Sequence, residues 1–465
     1  MAKTLFDRIW DAHVVSDLGN GWALLHIDRH LLHDLSGAGG LAELAKRNLR
    51  VSRPDLTFAT ADHAVSTKPG RSGETFDKGA PLYRSLRSAA KEAGIPFFDI
   101  RERGQGIVHV MSPELGITLP GATLVCGDSH TCTNGALGAL AFGIGSSELV
   151  HVLATQTLRQ KKPRQMRIKY TGELAAGITA KDLALHVIGT LGATAGVGHA
   201  LEHAGEGLAT LSIEQRLTLC NLSVELGSKM AFCAPDKATF DYLYGRPFAP
   251  HGKLWEDANK EWQKLRSDDD AVFDKEVVID LSVVPPTVTW GISPEHALPI
   301  DALVPDPDAA PDQTQREAWQ AAIDYMGLYP GQQIEGTKVD WVFIGSCANS
   351  RISDLRDAAR IAKGRKVADS VTAWVVPGSV QVKEAAEAEG LHKIFLDAGF
   401  EWREPGCSMC VAANGEQVPP GARSVSTSNR NFIGRQGPGA RTHLASPSMA
   451  AAAAVAGEIV DVRRF

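Results

Sequence analysis

The chain has 465 residues, of which 44% are hydrophobic and 22% charged, and its 48 basic and 54 acidic residues give a formal net charge of −6. That length exceeds one ordinary domain, and the composition is that of a folded protein with a sizeable core, which excludes a disordered chain. The mildly acidic balance gives no reason to expect a nucleic-acid or membrane surface. The opening MAKTLFDRIWDAHVV places Asp7 and Asp11 where a secretory signal would have an apolar run. The most apolar stretch, residues 449–457, is about half of a membrane span, so the cytoplasm is the expected compartment. Seven cysteines (Cys126, Cys132, Cys220, Cys233, Cys347, Cys407 and Cys410) are too few and too oddly numbered for a disulfide framework.

In chain order, residues 1–165 alternate strand-like and helical patterns, the signature of a layered α/β unit. Residues 122–126 (ATLVC) read as a buried strand. Gly127-Asp128-Ser129-His130 follows as a loop, residues 135–145 as a glycine-spaced turn and helix, and residues 147–158 as a helix. The glycine run lacks a Gly-Lys-Ser/Thr ending and the dinucleotide spacing, so it predicts close packing and not a phosphate loop. Residues 166–285 form a second expected α/β unit, with a strand at 166–170, a capped amphipathic helix at 179–191 and a polar helical stretch at 247–276. A Pro- and Asp-rich connector at 305–312 lies near the start of a third, residues 286–465. This unit has strands at 341–344 and 372–376 and an alanine-rich helix at 449–457 suited to close packing. No internal repeat is visible.

The chemistry concentrates in a few loops. Gly345-Ser346-Cys347-Ala348-Asn349-Ser350-Arg351 follows an apolar strand, and Pro405-Gly406-Cys407-Ser408-Met409-Cys410 follows about 60 residues later. A Cys-x-x-Cys pair brings two thiolates to one centre from one turn, and Cys347 supplies a third. Zinc competes for this spacing but usually wants four protein ligands; His130 would have to complete such a site. On a cubane, three ligands leave one iron open as a Lewis acid, which suits removal of a poor leaving group such as hydroxide. Asp62-His63, His109, Asp128-Ser129-His130 and His199 with Glu202 offer carboxylate–imidazole pairs for proton transfer. Asn429-Arg430 and Arg435 place two guanidinium forks around a glycine turn, which suits a substrate with two carboxylates.

Taken in order, these stretches resemble the aconitase superfamily over nearly the whole chain. The matching runs are AHVV (12–15), IDRHLLHD (27–34), FATADHAVST (58–67), QGIVHV (105–110), VCGDSHTCTNGALG (125–138), FGIGSSE (142–148), GITAKD (177–182), IGSCANSRISDLR (344–356), PGCSMC (405–410), STSNRNFIGRQG (426–437) and THLASPSMAAAAAVAG (442–457). The wording is most similar to bacterial-type large subunits of the isopropylmalate isomerase group. The resemblance implies three α/β domains around one 4Fe–4S cluster per subunit, held by Cys347, Cys407 and Cys410. It implies that Asp62 with His63 assists the leaving hydroxyl, that His109 and Asp128 form a second acid–base pair, and that His130 pairs with Glu202. It implies that Asn429, Arg430 and Arg435 bind carboxylate, with Ser129 and His33 also at the substrate. It further implies isomerisation of 2- and 3-isopropylmalate by dehydration and rehydration, a smaller diacid such as citraconate, methylmalate or dimethylmalate being the alternative substrate. The superfamily's swivel domain has no counterpart before Phe465, so the resemblance implies a heterodimer with a separate small swivel-domain subunit. Neither nucleic acid nor membrane is an expected partner. Asn134, Ala348 and Val380 depart from the family's pattern, which bears on the substrate more than on the reaction.

Overall fold

Two short apolar runs each followed by glycine, Thr123–Cys126 and Trp341–Ile344, become inner strands of two parallel sheets. The computed structural model describes residues 2–465. It divides into two units. One comprises the chain up to Val65 with Ser72–Glu173 and Thr194–Leu281; the other comprises Ser66–Arg71, Leu174–Ala193 and Ser282–Phe465.

In the first unit, a five-stranded parallel sheet runs in the spatial order Phe97–Phe98, Thr57–Thr60, Arg29–Leu32, Thr123–Cys126, Leu140–Gly143. Thr123–Cys126 is buried at every residue, as a parallel strand covered on both faces must be, and so reads as continuous apolar sequence. Leu31, Phe58, Val108, Met111, Leu115 and Leu124 fill one core cluster, and Leu25, Ala59, Phe142, Leu149 and Leu153 belong to another. The same unit contains a four-stranded parallel sheet, ordered Met230–Cys233, His199–Ala204, Arg164–Thr171, Lys275–Asp280, and an antiparallel sheet of Val14–Gly19, Trp22–His26 and Thr157–Lys161.

The second unit is built on a five-stranded parallel sheet ordered Glu401–Trp402, Thr372–Val375, Trp341–Ile344, Arg423–Ser426, Arg441–Leu444. Phe343, Val376, Met409 and Val418 share a core cluster there. Helix Pro447–Ala456 is buried from Pro447 through Ala454 and packs against helix Ile352–Ala362. Its run of alanines allows that close approach.

Both five-stranded sheets follow one plan. The first strand in sequence lies at the centre, the second and third build outward on one side, and the fourth and fifth build on the other. The direction of building reverses between the first and fourth strands. In open α/β sheets, the loops at the carboxyl ends of such a reversal form a natural binding crevice.

The structure corrects three expected elements. Residues 135–145 are not a turn and helix: a 3-10 segment, Ser129–Leu137, ends at Gly138 (φ +82°), and Leu140–Gly143 joins the sheet as an edge strand. Gly135 and Gly143 are glycines because a Cβ would run into the Ala231 carbonyl at the first and meet the Asp128 carbonyl at 2.5 Å at the second. The helix expected at 147–158 is Ser146–Thr155, and Thr157–Lys161 is a strand, because Gln156 adopts a left-handed conformation that ends the helix. In the polar stretch 247–276 only Lys253–Trp262 is an α-helix. The expected division at 165/166 falls inside the strand Arg164–Thr171, whereas that at 285/286 lies just past the change of unit after Leu281. Among the described residues, no helix is long and apolar enough to cross a membrane.

Candidate active site

In the first unit the candidate residues follow the carboxyl ends of the central strands. His33 and Asp34 follow Arg29–Leu32, Asp62 and His63 follow Thr57–Thr60, and Asp128, Ser129 and His130 follow Thr123–Cys126. His109 comes from helix Val108–Leu115. Hydrogen bonds link these groups into a chain. His63 Nδ1 lies 2.6 Å from Asp62 Oδ1, and its Nε2 lies 3.4 Å from Asp128 Oδ2. Asp128 Oδ1 lies 3.2 Å from His109 Nε2 and accepts the backbone N–H of His130 at 2.7 Å. His130 Nε2 then reaches Glu225 Oε1 at 3.0 Å. Asp62 is anchored by the Val108 N–H (2.9 Å), and Asp34 accepts the N–H groups of His63 (3.1 Å) and Ala64 (2.7 Å). The His33 ring lies 4.5 Å from that of His63, and Ser129 is half-buried in the loop beside Asp128.

The electrostatics assign charge states. Burial alone would raise the Asp128 pKa, but hydrogen bonds from His109, His130 and His63 outweigh it and hold the carboxyl well below the usual range. Asp62 is also lowered: burial opposes ionisation, and the adjacent His63 overcomes it. Asp34 moves the other way, to about 6, because it is buried and faces the Asp62 carboxylate. Burial, with His63 beside it, depresses His33 to about 4, so this ring is neutral at physiological pH.

The structure does not place Glu202 with His130. Glu202 lies on the strand His199–Ala204 and accepts a hydrogen bond from Ser267 Oγ at 2.7 Å. Its neighbour His203 points to the opposite face, as strand alternation requires, and contacts Tyr170 and Ser223. The carboxylate at His130 is Glu225, in the 3-10 turn Ser223–Leu226 that ends helix Ile213–Leu222. That helix packs along the Ser129–Leu137 segment, so a residue 95 positions downstream becomes the partner.

In the second unit Cys347 follows the central strand Trp341–Ile344, while Cys407 and Cys410 flank a single 3-10 turn closed by Cys410 N–H to the Cys407 carbonyl at 3.0 Å. All three are buried. The backbone is strained at both loops: Ser346 (φ +77°) and Ser408 (φ +50°) are left-handed without being glycine, which costs roughly 1–2 kcal/mol each. Side chains hold them there. The Ser346 hydroxyl accepts the Ala348 N–H (3.1 Å), and buried Arg351 donates to the carbonyls of Cys347 and Ala348, both at 2.9 Å. Ser408 Oγ donates to Glu416 at 2.6 Å. Glu416 also binds Thr67 and pairs with buried Arg403 at 3.0 Å. Burial alone would raise the Glu416 pKa; Ser408, Thr67 and Arg403 reverse that and lower it.

Asn429 follows strand Arg423–Ser426 and touches two of the thiols: its Nδ2 lies 3.4 Å from Cys347 Sγ, and Cys410 Sγ donates to its Oδ1 at 3.0 Å. Arg430 and Arg435 are half-buried at the ends of an exposed turn, Phe432–Ile433–Gly434. The Nε of Arg435 is buried without a hydrogen-bond partner, and its guanidinium lies over the Phe432 ring.

The profile of the aconitase family (aconitate hydratase) matches residues 7–457. The chain belongs to the aconitase family. It is 63% identical over 461 residues to the 3-isopropylmalate dehydratase large subunit 1 of Bradyrhizobium diazoefficiens, covering 99% of this chain and 96% of that protein. Among solved structures it resembles the holo-form of aconitase X from Thermococcus kodakaraensis at a TM-score of 0.46 and 11% identity, covering 88% of this chain and 84% of that one. Enzymes of the aconitase family typically use a 4Fe–4S cluster. The donor set here fits one. The second unit contributes three buried thiols, and the other four cysteines belong to the first unit. Three thiolates suit a cubane with one open iron and fall short of the four ligands of a closed zinc site.

The departures from the family pattern also have locations. Asn134 Nδ2 lies 3.4 Å from His109 Nδ1, and its Oδ1 accepts from Thr118 at 2.7 Å. Donation to Nδ1 leaves Nε2 as the proton-bearing atom facing Asp128. Ala348 is fully buried, and Val380 opens helix Val380–Ala388 behind its cap, Ser379.

Proposed function

We propose that this chain is the catalytic large subunit of a hydro-lyase that interconverts 2-isopropylmalate and 3-isopropylmalate, a step in leucine biosynthesis. The observation that carries this reading is 63% identity along 99% of the chain to a protein of that name. The site geometry supports the chemistry. Dehydration removes a proton beside a carboxylate and hydroxide from the neighbouring carbon. Rehydration returns the water with the two positions exchanged.

We assign Cys347, Cys407 and Cys410 as the ligands of a 4Fe–4S cluster, with Asn429 hydrogen-bonded at two of the sulfurs. When bound, such a cluster supplies a Lewis-acidic iron for the substrate oxygens. His63, held between the carboxylates of Asp62 and Asp128, is the group that delivers a proton to the departing hydroxyl from Nε2. Asp128 stays anionic and stabilises whichever of His63, His109 and His130 carries the proton. His130, backed by Glu225, handles the proton of the returning water. Neutral His33 and Ser129 offer hydrogen bonds to substrate. Arg430 and Arg435 bind its carboxylates, and the unpartnered Nε of Arg435 is the donor this role needs.

The relative is called a large subunit. We assign this chain a small-subunit partner that supplies the base removing the carbon-bound proton, and we place the pair in the cytoplasm. The test is anaerobic co-expression with a small swivel-domain subunit, followed by an absorbance assay for alkene formation. Turnover of 3-isopropylmalate is expected. Turnover of citramalate or dimethylmalate without isopropylmalate would transfer the chain to a paralogous hydratase.

A further inference from the structure

The Gly-Ile-Thr-Ala-Lys-Asp segment (177–182) carries two charged side chains with no exposure at all, Lys181 and Asp182. Asp182 caps its own helix and ties it to Thr287. Its Oδ2 accepts the N–H and hydroxyl of Thr179, the cap of helix Ala180–Leu191, both at 2.9 Å, and its Oδ1 accepts the Thr287 N–H at 3.0 Å. Lys181 serves something other than its own helix. Its Nζ donates to the carbonyls of Thr427 (3.1 Å) and Ser428 (2.6 Å), 246 and 247 residues away in sequence.

A buried ammonium costs several kcal/mol to desolvate, and a tie between a helix and a loop needs no charge. Its location explains the charge. Thr427 and Ser428 immediately precede Asn429, whose amide touches the Cys347 and Cys410 sulfurs, and Arg430 comes next. The Thr427 hydroxyl exchanges hydrogen bonds with the N–H and carbonyl of Gly345, both at 2.9 Å, two residues before Cys347. One ammonium therefore anchors the peptide that presents the amide, a guanidinium and, through Thr427, the start of the first cysteine loop. Three thiolates and a diacid substrate are all anionic, and a fixed cation in a dry interior acts on them with little screening.

We infer that Lys181 is the positioning residue and fixed buried cation of the cysteine centre: it orients Asn429 and Arg430 and raises the electron affinity of the cluster held there. The inference rests on the cluster assignment made above. Wild-type chain and the variants Lys181→Met, Lys181→Gln and Lys181→Arg are reconstituted anaerobically with the small subunit. Iron and sulfide per chain, the cluster midpoint potential by EPR-monitored titration, and KM and kcat on 3-isopropylmalate are then measured.

The Met and Gln variants should keep their iron and shift the potential to more negative values, because a nearby cation favours the more negative reduced state. Their KM should rise roughly tenfold, the equivalent of one lost charged contact, with a smaller change in kcat. The Arg variant should restore the potential. Gln keeps N–H donors for the two carbonyls, so it carries the test if Met does not fold. Wild-type potential and KM in the Met or Gln variant would overturn the role of Lys181 and leave the cluster standing. A reconstituted wild type without iron and sulfide would overturn the cluster assignment itself.

Discussion

The two five-stranded sheets share a strand order, and each has candidate residues just past the two strands that flank its own reversal (His33 and Asp128 in one, Cys347 and Asn429 in the other), yet the two units hold their candidate residues by different means. In the first unit His63, His109, His130, Asp62, Asp128 and Glu225 orient one another through side-chain hydrogen bonds. None of them has a left-handed backbone. Of the six non-glycine residues with positive φ among the described residues, three (Ser346, Ser408 and Ala412) lie in the second unit, in the two cysteine loops. Proton-transfer groups need a network that can shift charge among its members. On the proposed assignment, the cluster ligands sit on loops whose bent backbone is stabilised by Arg351, Glu416 and Arg403. The comparison predicts that substitutions in the first unit cost chemistry, while substitutions in the second cost cluster retention or substrate binding.

The largest effect on chemistry should come from Asp128→Asn, which removes the one carboxylate shared by three imidazoles. We expect kcat to fall by about 10³-fold with the fold intact, as read by steady-state kinetics and circular dichroism. Glu225→Gln, at the end of the network, should lower kcat by about 10²-fold. An effect from Glu225→Gln as large as that of Asp128→Asn would mean that the network is not graded from its centre. Arg435→Lys exchanges a fork for a point charge and should raise KM by roughly 10- to 100-fold with a smaller change in kcat.

Glu202→Gln separates the two carboxylates assigned by sequence and by structure. Burial raises Glu202 from an ordinary 4.5 to about 7, against the opposing Ser267 hydrogen bond. A raised carboxyl contributes its stability fully below pH 4.5 and loses it as pH rises through about 7. The Gln variant should therefore match wild type in thermal melts at pH 4.5 and exceed it by up to about 3 kcal/mol at pH 8. The same variant should leave kcat unchanged, in contrast to Glu225→Gln. The smallest effect is expected from Ala412→Gly, which relieves a left-handed alanine and should stabilise the chain by at most about 1 kcal/mol in denaturant titration.

What could be read from the sequence follows from how local each signal was. The central strands and cysteine loops are legible because a buried parallel strand is a continuous apolar run and a Cys-x-x-Cys turn is compact. Leu140–Gly143 is harder to read: four apolar residues between glycines carry no period that separates strand from helix. Glu225 was illegible locally, since its partnership depends on helix Ile213–Leu222 packing on the Ser129–Leu137 segment. Glu202 is paired with His130 only by the family resemblance; in the fold its carboxylate meets Ser267 and Glu225 meets His130. Strand alternation turns the neighbours Glu202 and His203 to opposite faces. The common strand order of the two large sheets left no repeat in the sequence, since topology constrains hydrophobic pattern and turn placement more than residue identity.

The most direct test of the division of labour is iron and sulfide content measured alongside turnover in Asp128→Asn and Cys407→Ser, each assembled anaerobically with the small subunit. The account predicts that Asp128→Asn keeps the wild-type iron content and loses turnover, while Cys407→Ser loses both. Iron loss in Asp128→Asn, or full iron and turnover in Cys407→Ser, would contradict it.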